Sequence, residues 1–137
     1  EGNRGYPATA DARLIEAEMK IGPFEVRASE QPHGPITSTG LRFEAGEAAI
    51  GYAIDFHDIT EEMIALYRDV DMLVTDCLRY EPHPTHADLD IALDLISRTG
   101  AKSALLTHMD KSMDYRTLCD RLPEGVAPAH DGLEIGF

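Results

Sequence analysis

Met72-Leu73-Val74-Thr75, then Thr85 to Ser97, then Ala104-Leu105-Leu106-Thr107 form the stretch whose reading decides the fold. The two apolar runs are too short for helices and lack polar alternation, the pattern of buried strands. Between them Leu89, Leu93 and Ile96 recur at helical spacing, and Gly100 ends that helix because glycine readily takes the left-handed conformation. Downstream, Tyr115 to Leu122 reads as another helix closed by Pro123, and Leu133 to Phe137 as a last strand. Upstream, Thr60-Glu61-Glu62-Met63 opens a helix that ends near Arg68: the threonine caps it and the acidic pair suits its first turn.

Before Asp55 the texture is different. From Leu14 to Ile54 the pattern is β-like: Phe24, Val26 and Ala28 alternate with polar residues, Leu41 and Phe43 repeat the alternation, and Ala48 to Ile54 follow. Gly46 beside Glu47 marks a hairpin turn between the last two. The whole reads as β-hairpins followed by a β-α-β-α-β series, a sheet flanked by helices in the α/β class, with no repeat or low-complexity segment.

Composition sets outer bounds. The 137 residues suit one domain, 43% hydrophobic and 27% charged. Twenty-five acidic against 12 basic residues leave a formal charge of -13, which disfavours nucleic-acid backbones and anionic membranes as partners. No run approaches the ~20 apolar residues of a membrane span, and Glu1 to Arg13 lacks a signal-peptide pattern. Cys77 and Cys119 are far apart without a C-x-x-C spacing, so neither a zinc knuckle nor a disulfide framework is expected, and a cytoplasmic setting is the default. The opening lacks an initiator Met and runs through Gly2 to Pro7, a linker-like stretch, so the natural start is expected upstream.

Three residues with metal-binding side chains fall at strand ends. His33 follows the first β-like stretch, Asp55 closes Tyr52-Ala53-Ile54, and His108 closes Leu105-Leu106-Thr107. Imidazole and carboxylate suit zinc, manganese or iron, and a carboxylate can bridge two ions about 3.5–4 Å apart. Singly, each has a plainer reading: a lone histidine at a strand end is most often a surface or satisfied core residue, and an aspartate there an N-cap. Their joint placement after three strands raises the weight of the metal reading but leaves the plainer readings open.

Five segments carry a family resemblance: His33-Gly34-Pro35-Ile36-Thr37-Ser38-Thr39-Gly40; Tyr52-Ala53-Ile54-Asp55; Asp76-Cys77-Leu78-Arg79-Tyr80-Glu81-Pro82-His83-Pro84-Thr85-His86; Leu106-Thr107-His108-Met109; and Asp131-Gly132-Leu133-Glu134-Ile135. In order and spacing they resemble metal-dependent hydrolases of the metallo-β-lactamase fold, nearest the phosphoribosyl 1,2-cyclic phosphate phosphodiesterase branch, with tRNase Z-like nucleases more distant. The resemblance runs from about Phe24 onward. It implies an αββα sandwich of which residues 21–137 form the C-terminal half, residues 1–20 being a linker remnant.

It also implies roles. His33 would serve one metal, His108 the second, and Asp55 would bridge two divalent ions, zinc or manganese foremost. His86 would face the substrate phosphate as proton donor or transition-state stabiliser, its plainer reading being a helix-entry residue; Asp76 would orient the ligands by hydrogen bonds or anchor the Arg79 loop. His57, His83 and His130 read as solvated loop residues. The His-x-His-x-Asp-His segment that completes such a site occurs nowhere in the chain. The expectations are therefore an inner sheet face left open, a partner in the N-terminal half that carries this segment, an inactive isolated chain and a cleavage in an exposed linker; a homodimer is compatible. The complete enzyme would direct a metal-activated water at a small cyclic phosphate or nucleotide-like phosphodiester. Alternatives are hydrolysis of a thioester or lactam-type acyl compound on the same fold, or a non-catalytic interaction module.

Overall fold

The computed structural model describes residues 9–137, so the Gly2 to Pro7 stretch lies outside the described residues. Seven strands form one sheet in sequence order: β1 (Glu18–Ile21), β2 (Phe24–His33), β3 (Ile36–Ala45), β4 (Ala48–Ala53), β5 (Met72–Asp76), β6 (Ala104–Thr107) and β7 (Val126–Pro128). The first four make an antiparallel meander. Its two-residue turns Gly22-Pro23, Gly34-Pro35 and Gly46-Glu47 each begin with a glycine at positive φ (58°, 60° and 62°), the conformation tight hairpins demand. From β4 onward the neighbours are parallel, joined through α1 (Glu61–Tyr67), α2 (Leu89–Thr99) and α3 (Tyr115–Arg121). Among the described residues no helix is long and apolar enough to cross a membrane.

Each helix starts on a side-chain cap. Thr60, Asp88 and Asp114 accept the backbone N–H of Met63, Ile91 and Thr117, and Gly100, at φ 68°, ends α2. The cap at Asp88 corrects the helix read from Thr85. Leu78 N–H donates to the Ala87 carbonyl and Leu89 N–H to that of Arg79, so the chain into Asp88 runs extended beside 78–79 and Thr85 to Ala87 stay outside the helix. Two further expectations differ. A strand already begins at Glu18, inside the segment 1–20 read as linker. The last strand is Val126–Pro128, not Leu133 to Phe137: the β6 edge is taken as soon as the chain leaves α3, and Leu133, Ile135 and Phe137 are left exposed.

A short step along one direction of the sheet at each β-α-β crossover, all of one hand, puts the helices on one face. The burial pattern agrees. Ala49, Ala53, Leu73, Leu95 and Ala104 join Phe56, Met63, Tyr67 and Val70 in the main core, and Leu106, Leu118 and Met113 form a second cluster under α3. The alternate residues point the other way. Register aligns Phe43, Ile50 and Met72 in one row and Leu41, Tyr52, Val74 and Leu105 in the next. No helix or second sheet among the described residues covers this apolar face, and Tyr52 is 44% exposed on it. The expected exposure is uneven: Val26, which pairs with Phe43 in the first of these rows, and Met72 are 1% and 8% exposed.

Candidate metal centre

Adjacency of β4, β5 and β6 brings the site together. Ala53 pairs with Thr75 and Thr75 with Leu106, so Asp55, Asp76 and His108 all emerge within two residues of one rung of the sheet. One ligand atom each from Asp55, Asp76, His86 and His108 lies within 4.8 Å of the others. Asp55 (φ 60°) and His108 (φ 62°) sit in the left-handed region, where a residue other than glycine is held at a cost of about 1–3 kcal/mol and is commonly functional.

The side chains are layered. Asp76 is fully buried, His86 is 16% exposed, and Asp55 and His108 are 44% and 43% exposed, so one carboxylate lies beneath the rest. Its Oδ2 accepts Asp55 N–H at 3.1 Å and His86 Nδ1–H at 2.9 Å; its Oδ1 is 3.3 Å from His108 Nδ1. His86 Nδ1 is also 3.6 Å from Asp55 Oδ1. Carboxylate oxygens only accept, so Nδ1 carries the proton on both rings and Nε2 remains the nitrogen free to act as a ligand or on a substrate. His108 Nε2 stands 4.0 Å from Asp55 Oδ1.

His33, at the end of β2, joins from the hairpin side. Its ring is 4.9 Å from that of His86, edge to face, and its Nδ1–H donates to the Thr85 carbonyl at 2.7 Å. A backbone carbonyl that fixes one ring nitrogen and leaves the other bare is the arrangement metal-bound histidines use. His33 thus borders the four-residue cluster rather than belonging to it. Gly34 lets the hairpin approach closely: a Cβ there would meet the Thr85 methyl at 2.5 Å.

The donor set suits a hard or borderline divalent cation. Two carboxylates converge here, one of them fully buried, and their bonded partners are imidazoles and a backbone N–H rather than Lys or Arg. A buried carboxylate so placed calls for a compensating positive charge, which a cation held beside Asp55 and the imidazoles would supply. Cys77 does not contribute: burial, then the charges of Asp76 and Asp88, push its thiol up to about 12.

Two histidines read as solvated loop residues have specific places. His83 is 5.2 Å, ring to ring, from His86 and accepts Thr85 N–H at Nδ1 (3.3 Å). Desolvation first, then the Arg79 charge, holds its imidazole below its usual range. Arg79 itself donates to the Glu81 and Pro82 carbonyls, framing this loop. His57 ties the segment after β4 to the hairpin tip: its N–H donates to the Pro32 carbonyl, and Gly34 N–H lies 3.1 Å from its Nδ1. His130 is exposed beside Tyr115. Asp76, expected to orient the ligands by hydrogen bonds or to anchor the Arg79 loop, bonds to His86 and the Asp55 N–H and is also one of the four clustered residues.

Reasoning from sequence missed a buried network under Asp55. Tyr67 donates to Gln31 Oε1 at 2.7 Å; Gln31 Nε2 donates to Ser38 Oγ (3.1 Å) and to the Ile54 carbonyl (2.9 Å); Ser38 donates to the Asp55 carbonyl at 2.7 Å. Gly40 and Gly51, glycines inside strands, were its one visible signal. A Cβ at either would strike Tyr67.

The family model of the beta-lactamase superfamily domain matches residues 7–109. The chain belongs to that superfamily. A solved diphosphatase of the PhnP family is 28% identical with a TM-score of 0.83, over 92% of this chain and 48% of its own. The metallo-β-lactamase-fold protein YhfI of Bacillus subtilis is 20% identical with a TM-score of 0.80, over 93% and 56%. A Porphyromonas gingivalis protein named octanoyltransferase is 29% identical over 136 residues, 94% of this chain and 27% of that one. The chain thus spans about half of these solved metallo-β-lactamase-fold structures and about a quarter of that curated relative.

Proposed function

We propose that this chain forms the C-terminal half of a two-metal hydrolase acting on a small cyclic phosphate or nucleotide-like phosphodiester. The observation that carries the reading is the buried Asp76 carboxylate holding His86, His108 and the Asp55 backbone at one rim. His33 and His108 would each serve one divalent ion, zinc or manganese, and Asp55 would be shared. When bound, such ions supply an activated water and neutralise charge on phosphoryl oxygens. The remaining ligands come from the N-terminal half with its His-x-His-x-Asp-His segment, which also covers the apolar sheet face, so this chain alone is inactive.

The chain's own residues handle orientation and proton movement. Asp76 fixes His86 through Nδ1–H, so Nε2 is the atom turned to the leaving oxygen; when the ring carries a second proton, with the Asp76 carboxylate facing its charge, Nε2–H gives that proton to the leaving oxygen and the ring returns to its neutral form. Thr85, by holding His33 Nδ1, sets that ring beside His86. His83, next to His86, completes the substrate side of the rim. The likeness to a PhnP-family diphosphatase supports a phosphoester over an acyl substrate.

The test is to purify the chain together with its N-terminal half and to measure metal content and hydrolysis of bis(p-nitrophenyl) phosphate and of a thioester. About two metal equivalents and phosphodiester cleavage, reduced 10²- to 10⁴-fold on average by His86→Ala, are expected. Turnover of the thioester alone would favour the acyl reading, and absence of both metal and turnover an interaction module.

A further inference from the structure

The Asp55 backbone, at φ 60°, stands at the end of a chain of hydrogen bonds that runs from buried Tyr67 through buried Gln31 to part-buried Ser38. Every proton in that chain can be assigned. Tyr67 has one, and it goes to Gln31 Oε1 at 2.7 Å, with the Tyr52 carbonyl a longer contact at 3.0 Å. That choice fixes the Gln31 amide, whose two N–H groups then reach Ser38 Oγ and the Ile54 carbonyl. Ser38, having accepted one hydrogen bond, gives its own proton to the Asp55 carbonyl, with Ile54 O at 3.2 Å as the weaker alternative. Gln31 and Tyr67 are fully buried, so water cannot replace a lost partner. From the other side Asp55 N–H is held by Asp76, and His57 N–H on Pro32 O ties the next turn to the hairpin that ends in His33.

We infer that Gln31, Ser38 and Tyr67 are positioning residues that lock the Asp55 backbone and its register with His33, so that metal affinity depends on side chains that touch no metal. The inference rests on the two-metal reading above. Loss of the Ser38 hydroxyl frees the Asp55 carbonyl, the backbone relaxes from φ 60°, and the carboxylate leaves its place beside His108 and His86. Ser38 is only partly buried, so its removal acts on geometry more than on folding.

The experiment uses the complete two-half assembly and reads zinc affinity by chelator competition together with the melting temperature of the metal-free form. Ser38→Ala is expected to weaken zinc binding about 10- to 100-fold with little change in metal-free melting, and Ser38→Thr, which keeps the hydroxyl, to restore it. Gln31→Met, matched in size without the amide, should weaken zinc in the same way. Zinc binding by Ser38→Ala equal to the unaltered protein overturns the inference, as does a loss matched by metal-free melting and not restored by threonine. If the unaltered assembly binds no zinc, the two-metal reading itself fails and this one with it.

Discussion

A single methyl group at Gly40 tests the buried network without reference to any activity. A Cβ there would overlap the Tyr67 hydroxyl and the Gln31 side-chain carbonyl, and both side chains are fully buried. Overpacking of this kind costs about 1–3 kcal/mol. Displacing the hydroxyl leaves a buried acceptor unpaired, about 1–3 kcal/mol more. The stiffer unfolded chain returns about 0.4–1 kcal/mol, so Gly40→Ala is expected to lose about 1–5.6 kcal/mol. Tyr67→Phe alone should lose about 1–3 kcal/mol, because Gln31 Oε1 loses its donor. In the double variant the nearer of the two groups that the new methyl strikes, the Tyr67 hydroxyl, is gone, and only the overlap with Gln31 remains. The double variant's loss should therefore fall short of the sum by at least about 1 kcal/mol, a coupling expected only of groups in contact. Urea unfolding of the metal-free assembly measures all four proteins. Additive losses within about 0.5 kcal/mol, or a Gly40→Ala loss below that figure, would refute the packing argument.

Three further outcomes follow from the same geometry. Asp76→Asn replaces one of two accepting oxygens with an NH2 group, so the side chain can hold His86 or His108 but not both; zinc affinity should fall about 10- to 100-fold, while metal-free stability holds or rises as a buried charge disappears; loss of stability with zinc affinity intact would contradict it. Iodoacetamide at pH 8 should modify exposed Cys119 and spare buried Cys77, whose thiol ionises only near 12, until denaturant is added; mass spectrometry of peptides reads the difference. The bonds from Lys102 and Ala49 N–H to Asp71 hold its carboxyl below its ordinary 3.8. A folded value below the unfolded one gives stability that is fully present above about 3.8 and lost as pH falls through the folded value, so Asp71→Asn should flatten the acid limb of a stability-against-pH curve.

Much of the architecture was legible because its signals are local. Thr60 and Gly100 mark helix ends by hydrogen bonds and backbone angles that involve only a few neighbouring residues. The failures come from contacts that no local pattern records. Thr85 to Ala87 look helical by spacing alone, yet Asp88 caps the helix only after the chain has paired with 78–79, a contact across the loop. Leu133, Ile135 and Phe137 alternate like a strand, but pairing needs an unoccupied edge, and Val126–Pro128 already holds it.

The sequence by itself determined the order of hairpins and β-α-β units, the residue types at the strand ends and an acidic surface, since periodicity, capping and charge belong to the chain before it folds. Only the tertiary structure decided that β4, β5 and β6 lie side by side. That adjacency puts Asp76 under both His86 and His108, and the pairing of β2 and β3 beside those strands sets Gln31 and Ser38, with Tyr67 of α1, beneath Asp55. These are meetings of residues 10 to 36 positions apart, and a hydrogen bond at such separation depends on which strands pair rather than on any local pattern.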